Sequence, residues 1–250
     1  MPHLTIVTGA SRGLGHAMAA QLLASGHRLL TLQRHPDAGL AAGARSAALL
    51  EQWPIDLADA PAAAQRLQDW LAALNPADLQ SATLINNAAV VSDLVPLGQG
   101  GLASLGTAVR VGLEAPLLLT AAFLHATTHW RMPRKVLNIS SGLGRRAMAG
   151  SASYCAVKAG IDHFSRAVAL EQAGLPNGAR IVALAPGVID TDMQVQLRGA
   201  SPAGLPEREM FVNLHARGQL ASPLSAATQC LKFLNRPDFG ANPIGDVRDV

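Results

Sequence analysis

The chain has 250 residues, of which 49% are hydrophobic and only 15% charged. That balance excludes a disordered chain and suffices for a large buried core. The net charge of +3 is not organised into a Lys/Arg-rich tract, and aromatics are only 4%, so no nucleic-acid partner is expected and the mild excess suits an anionic cofactor.

No continuous apolar run reaches the ~18 residues of a membrane span. The opening "MPHLTIVTGA" goes straight into a strand-like pattern, and Cys155 and Cys230 form neither a disulfide framework nor a metal spacing. A cytoplasmic, reducing location is the expectation.

Strand-like and helix-like segments alternate along the chain. "LTIVTG" predicts a first strand, with a helix through "GHAMAAQLLAS". "HRLLTLQR" predicts a second strand, followed by an Ala/Leu-rich helical segment at about 41–50. A third strand around "WPIDLAD" precedes "PAAAQRLQDWLAAL", whose Leu67, Trp70, Leu71 and Leu74 recur at helical spacing. "ATLINNAA" leads into a long helix around "VRVGLEAPLLLTAAFLHATTHW", and "KVLNISS" into a helix carrying Tyr154 and continuing through "IDHFSRAVALEQ". "ARIVALAPG" is the last strong strand.

Short apolar strands alternating with helices predict an α/β fold, a doubly wound parallel sheet with both faces covered, as a single domain over 1–250. The breaker-rich "QLRGASPAGLPERE" belongs to an insertion at about 190–220. After a late strand, such a segment lies above the carboxyl edge, and it is read here as a substrate lid.

Gly9, Gly13 and Gly15 fall between the first strand and first helix. There, glycines let backbone approach a pyrophosphate, and the helix N-terminus offers N–H groups. The spacing is G-x-x-x-G-x-G, so the signal rests on its position. The second strand ends in Gln33 and Arg34 with no acid before Asp37, and Arg12 lies in the glycine loop. A carboxylate there would hold a ribose 2′-hydroxyl, whereas arginines accommodate a 2′-phosphate, so NADP(H) is preferred to NAD. Asp56, after the third strand, is placed either to accept from an adenine amino group or to cap the next turn.

Tyr154 and Lys158 stand one helical turn apart. A phenol of pKa near 10 exchanges protons poorly at neutral pH, and a neighbouring ammonium is expected to lower that value. Upstream, Ser140 and Ser141 end the fifth strand. A loop's length separates Ser141 from Tyr154, room to bring both hydroxyls to one carbonyl oxygen.

In order along the chain, "TGASRGLG", "NNAA", "ISS", "YCAVK" and "APGVIDTDM" resemble the short-chain dehydrogenase/reductase family over nearly the whole length. The resemblance implies a Rossmann-type fold with Ser141, Tyr154 and Lys158 catalytic. It further implies a nucleotide held by Gly9, Ser11, Arg12, Gly13, Leu14, Gly15, Arg34, Asp56, Leu57, Asn87, Tyr154, Lys158, Pro186, Gly187, Ile189 and Thr191. One departure stands out: Gly112 in "VGLEAPLLLT" occupies the position of the family's helix asparagine, so a proton relay to the lysine is expected to be weakened or rebuilt.

The C-terminal third is similar to sepiapterin reductase and the related benzil reductases. This implies NADPH-dependent reduction of a small dicarbonyl, with Asp246, or else Asp249, anchoring substrate beside Ser141 and Tyr154. The helices at 113–123 and 161–170 carry broad apolar surfaces, and in the resembled family these two helices form the subunit interface, so the resemblance implies a homodimer or homotetramer. A non-catalytic NADPH sensor on the same fold is the reading from another class, which retention of Tyr154 argues against. His125 and His129 pair at i, i+4 without a third ligand, so no metal is expected.

Overall fold

The computed structural model describes residues 1–249; Val250, the last residue of the expected domain, lies outside the described residues. Seven strands form one parallel sheet in the order β3-β2-β1-β4-β5-β6-β7. They are β1 (His3–Thr8), β2 (Arg28–Gln33), β3 (Leu50–Pro54), β4 (Ser81–Asn86), β5 (Arg134–Ile139), β6 (Arg180–Ala185) and β7 (Ile244–Asp246). The order reverses between β1 and β4. At such a switch point the connections leave in opposite directions and open a crevice beyond the carboxyl ends.

The inner strands β1, β2, β4, β5 and β6 bury both faces, which is why they read as apolar runs. Leu4 and Ile6 of β1 point into one core, formed with α3 (Ala60–Ala72) and α5 (Ala115–Ala126), while Val7 points into the other, formed with α1 (Gly13–Ala24) and α9 (Pro223–Leu234). The alternation is the two-residue period of a pleated strand.

Three segments depart from expectation. The stretch at 41–50 is mostly not helical: α2 (Ala38–Gly43) is short and β3 already begins at Leu50. Pairing with β2 decides this, because Leu29 and Leu30 stand opposite Leu50 and Glu51, a tertiary contact that overrides helical propensity. A final strand, β7, adds to the sheet beside β6. The long helix is continuous over 102–126, running from α4 (Leu102–Val109) through a π-helical turn at Arg110–Glu114 into α5. Assembled in this way it is long and apolar enough to cross a membrane by length and composition. Here its α5 half packs on α3 inside the fold.

Candidate active site

The first strand–helix turn makes a tight cradle. Gly9 and Gly13 take left-handed φ values of 69° and 57°, which only glycine adopts without strain. Gly15 admits no side chain, since a Cβ there would stand 2.2 Å from the Gly9 carbonyl oxygen and 2.4 Å from the Asn87 amide nitrogen. Asn87, at the end of β4, donates from Nδ2 to the Thr8 and Gly9 carbonyls (2.9 and 3.2 Å), and its backbone N–H donates to Thr8 Oγ1. Its side chain therefore braces the glycine turn. Thr191 lies over the same turn, its methyl carbon 3.4 Å from where a Gly13 Cβ would sit. A dinucleotide's pyrophosphate fits this arrangement: bare backbone at a helix N-terminus with no Cβ in the way.

The other expected nucleotide residues divide between surface and core. Ser11, Arg12 and Arg34 are exposed, while Leu14 and Leu57 are buried in the two cores. Arg12 Nη1 pairs with Asp192 Oδ2 at 2.7 Å. Asp37, the one acid near the end of β2, accepts from the N–H groups of Gly39 and Leu40 to cap α2 and pairs with His16 at 2.7 Å. Those bonds hold its carboxyl below the usual range despite some desolvation. Asp56 accepts from the Ala58 N–H at 2.9 Å, the turn-capping arrangement. Pro186 and Gly187 follow β6, and Ile189 bridges to Ala221.

Ser141, Tyr154 and Lys158 converge at the end of β5. Ser141 opens a helical turn at Gly142–Gly144 and accepts from the Leu143 N–H at 3.2 Å. Tyr154 and Lys158 lie on α6 (Ala152–Ala173), the second fully buried. The lysine Nζ donates to the Ile139 carbonyl at 2.7 Å and stands 5.6 Å from the Tyr154 ring centre.

The expected acidification of the phenol is not found. Burial pushes Tyr154 up to about 12, with the Ser141 hydroxyl opposing this and the adjoining Cys155 adding to it. Lys158, its Nζ donating to the Ile139 carbonyl, loses its proton at lower pH than the phenol and so carries no charge where Tyr154 ionises. Burial also brings Lys158 down to about 8, with Asp162 acting in the opposite direction.

Gly112 sits in the π-helical turn, and a Cβ there would meet Val157 Cγ1 at 2.7 Å. The glycine thus lets the long helix approach α6 closely beside Lys158. A π-turn at this point leaves backbone groups out of the regular ladder.

The segment after β6 carries α7 (Asp192–Gly199) and α8 (Arg208–Ala216). It is tied to the body by Arg12–Asp192 and by Arg146–Glu207 at 2.7 Å, and by Met148 packing with Leu205 and Phe211. A cleft of about 540 Å³ lies between this segment and residues 91–95, lined by Leu94, Gln196 and Ala200 among others. A larger cleft of about 700 Å³ at Trp53, Arg66 and Trp70 belongs to the β3 edge, outside the convergence of Ser141, Tyr154 and Lys158. Asp246, at the end of β7, is buried and accepts from Arg248 Nε at 2.8 Å and from its backbone N–H at 2.9 Å.

Residues 3–201 match the short chain dehydrogenase family. The chain belongs to that family. It is 32% identical over 249 residues, 97% of its length, to a benzil reductase ((S)-benzoin forming) of Bacillus cereus, of which 96% is covered. It is 30% identical over 265 residues to sepiapterin reductase of Rattus norvegicus, covering 98% of this chain and 96% of that one. The crystal structure of a short-chain dehydrogenase/reductase from Burkholderia vietnamiensis superposes with a TM-score of 0.64 at 33% identity, covering 99% of this chain and 97% of that one. As a short-chain dehydrogenase the protein is an oxidoreductase that uses an NAD(P) cofactor.

The polar residues behind the site were not among those expected from the sequence. Asn86 Nδ2 donates to Asn138 Oδ1 at 2.8 Å and Asn138 Nδ2 to Ser165 at 2.9 Å, joining β4, β5 and α6. Asp162 accepts from Ser140 and from Arg145. The available signal was polar residues at strand ends and an acid one turn beyond Lys158, in otherwise apolar runs.

Proposed function

We propose that this short-chain dehydrogenase is an NADPH-dependent carbonyl reductase acting on a small vicinal diketone or related dicarbonyl. The convergence of Ser141, Tyr154 and Lys158 at the same carboxyl edge of the sheet as the glycine cradle is the observation that carries this reading. When bound, the nucleotide would supply the hydride. Ser141 orients the substrate carbonyl oxygen and Tyr154 gives it a proton as negative charge develops there. An alkoxide is far more basic than a phenolate, so even a weakly acidic phenol transfers its proton downhill. Lys158 holds a positive charge next to the phenol.

Preference for NADPH is supported by two exposed arginines, Arg12 and Arg34, and by an Asp37 already committed to His16 and the α2 cap. The dicarbonyl class is supported by likeness to proteins named benzil reductase and sepiapterin reductase. We further propose that the 190–220 segment closes over substrate, that Asp246 and Arg248 meet the substrate's polar end as a pair, and that the protein is a cytoplasmic homodimer or homotetramer. The test is a panel of diketones with NADPH and NADH, run beside Tyr154→Phe and Arg34→Ala. Turnover lost in Tyr154→Phe, with Arg34→Ala raising KM for NADPH but not for NADH, is the expected result. Tight NADPH binding with no turnover of any carbonyl would make the protein a sensor instead.

A further inference from the structure

Behind the reacting side chains lies a buried carboxylate to which the reaction above gives no role. Asp162 is on α6, one turn beyond Lys158, and is 2% exposed. Ser140 Oγ donates to its Oδ1 at 2.5 Å, and Arg145 Nε donates to its Oδ2 at 3.0 Å. Ser140 and Arg145 are the two flanks of the loop that presents Ser141. Arg145 also donates from Nη2 to the Gly245 carbonyl at 3.0 Å, joining that loop to β7. At Gly144 the loop lies directly on α6: a Cβ there would stand 2.8 Å from the Lys158 carbonyl oxygen and 3.2 Å from Asp162 Oδ2.

A buried carboxylate is costly unless partnered, and removing one member of such a set strands the others. We propose that Asp162 is a positioning residue of this site, clamping both flanks of the Ser141 loop through Ser140 and Arg145 while setting a negative charge one helical turn from Lys158. The inference rests on the reductase reading for its kinetic consequence, not for its electrostatic one.

The charges around Lys158 divide clearly. On its own helix stand Asp162 and Tyr154. The loop after β5 brings Arg145, paired with Asp162, and Arg146, paired with Glu207; β7 brings Asp246, clasped by Arg248. The long helix brings Gly112 against Val157, without a charge at that contact. Of these, Asp162 is the group that acts on Lys158, favouring its ammonium against burial.

The test compares wild type, Asp162→Asn, Arg145→Gln and Ser140→Ala by the pH dependence of carbonyl reduction and, separately, of unfolding stability. Asp162→Asn keeps the shape and an acceptor for Ser140 but removes the charge. Its alkaline limb is expected about one pH unit below that of wild type, the scale of a neighbouring charge. Arg145→Gln removes the competing cation and moves the limb upward. Ser140→Ala lowers kcat and leaves the limb in place. A role confined to folding would lower activity at every pH without these opposite displacements.

The stability arm needs no substrate. Below its depressed folded value Lys158 is charged in both states; between that value and the free lysine value, the unfolded state binds the extra proton and stability rises with pH. In Asp162→Asn this rise begins at lower pH, and in a Lys158→Met background the substitution leaves the slope unchanged. Should Asp162→Asn fail to fold, the upward displacement in Arg145→Gln decides the matter. An unmoved limb together with an unmoved onset of the stability rise, or a downward shift in Arg145→Gln, overturns the proposal. If wild type turns over no carbonyl, the reductase reading fails while the stability arm still tests Asp162.

Discussion

Tyr154 is the only tyrosine in the chain, so the pH-dependent tyrosinate band reports on one side chain. Burial pushes its pKa from 10.0 to about 12. At pH 10 an unperturbed tyrosine is half ionised, whereas at a pKa of about 12 only about 1% is phenolate. The displacement corresponds to less than about 3 kcal/mol, because the half-buried ring keeps part of its solvation. The assay is an alkaline absorbance titration with circular dichroism recorded at each pH, so that only the folded protein is scored. Ser141→Ala removes the hydroxyl that favours the phenolate, and the midpoint rises further. Lys158→Met leaves the midpoint nearly unchanged, since a lysine brought down to about 8 is already neutral where the phenol ionises. A midpoint at or below 10 in folded wild type, or a fall in Ser141→Ala, would refute this account of the phenol's surroundings.

Relative to Lys158→Met, wild-type stability is expected to climb by on the order of 3 kcal/mol as pH rises from about 8 through the free lysine value of 10.5; chemical unfolding across that range measures it. Gly15→Ala drives a Cβ onto the Gly9 carbonyl and the Asn87 amide, so it should lose about 1–3 kcal/mol of stability and bind nucleotide weakly, as calorimetry would register. Gly112→Asn meets Val157 and should lower the melting temperature, with partial recovery in Gly112→Asn/Val157→Ala. Equal melting temperatures for Gly112→Asn and wild type would mean that the long helix does not need glycine for its approach to α6.

The strand–helix alternation and the doubly wound class were legible because each buried strand is a short apolar run, and hydrophobic period is a local property. The glycine turn was legible for the same reason: close backbone approach leaves glycines in the sequence, and Gly9, Gly13 and Gly15 sit together in it. Ser141, Tyr154 and Lys158 were legible as residue types, but not as a geometry. The charge on Lys158 depends on its burial between α6 and β5, whose Ile139 carbonyl it binds, so the expected acidification of Tyr154 did not survive. The short third strand was misjudged in the same manner, since β2 alone makes Leu50 a strand residue. Spacing along the chain settled which chemical groups this protein carries and in what order. Only the packing of α6 against the end of β5 decided their charges, because desolvation and pairing are set by neighbours distant in sequence, as at Asp162, Arg145 and Ser140.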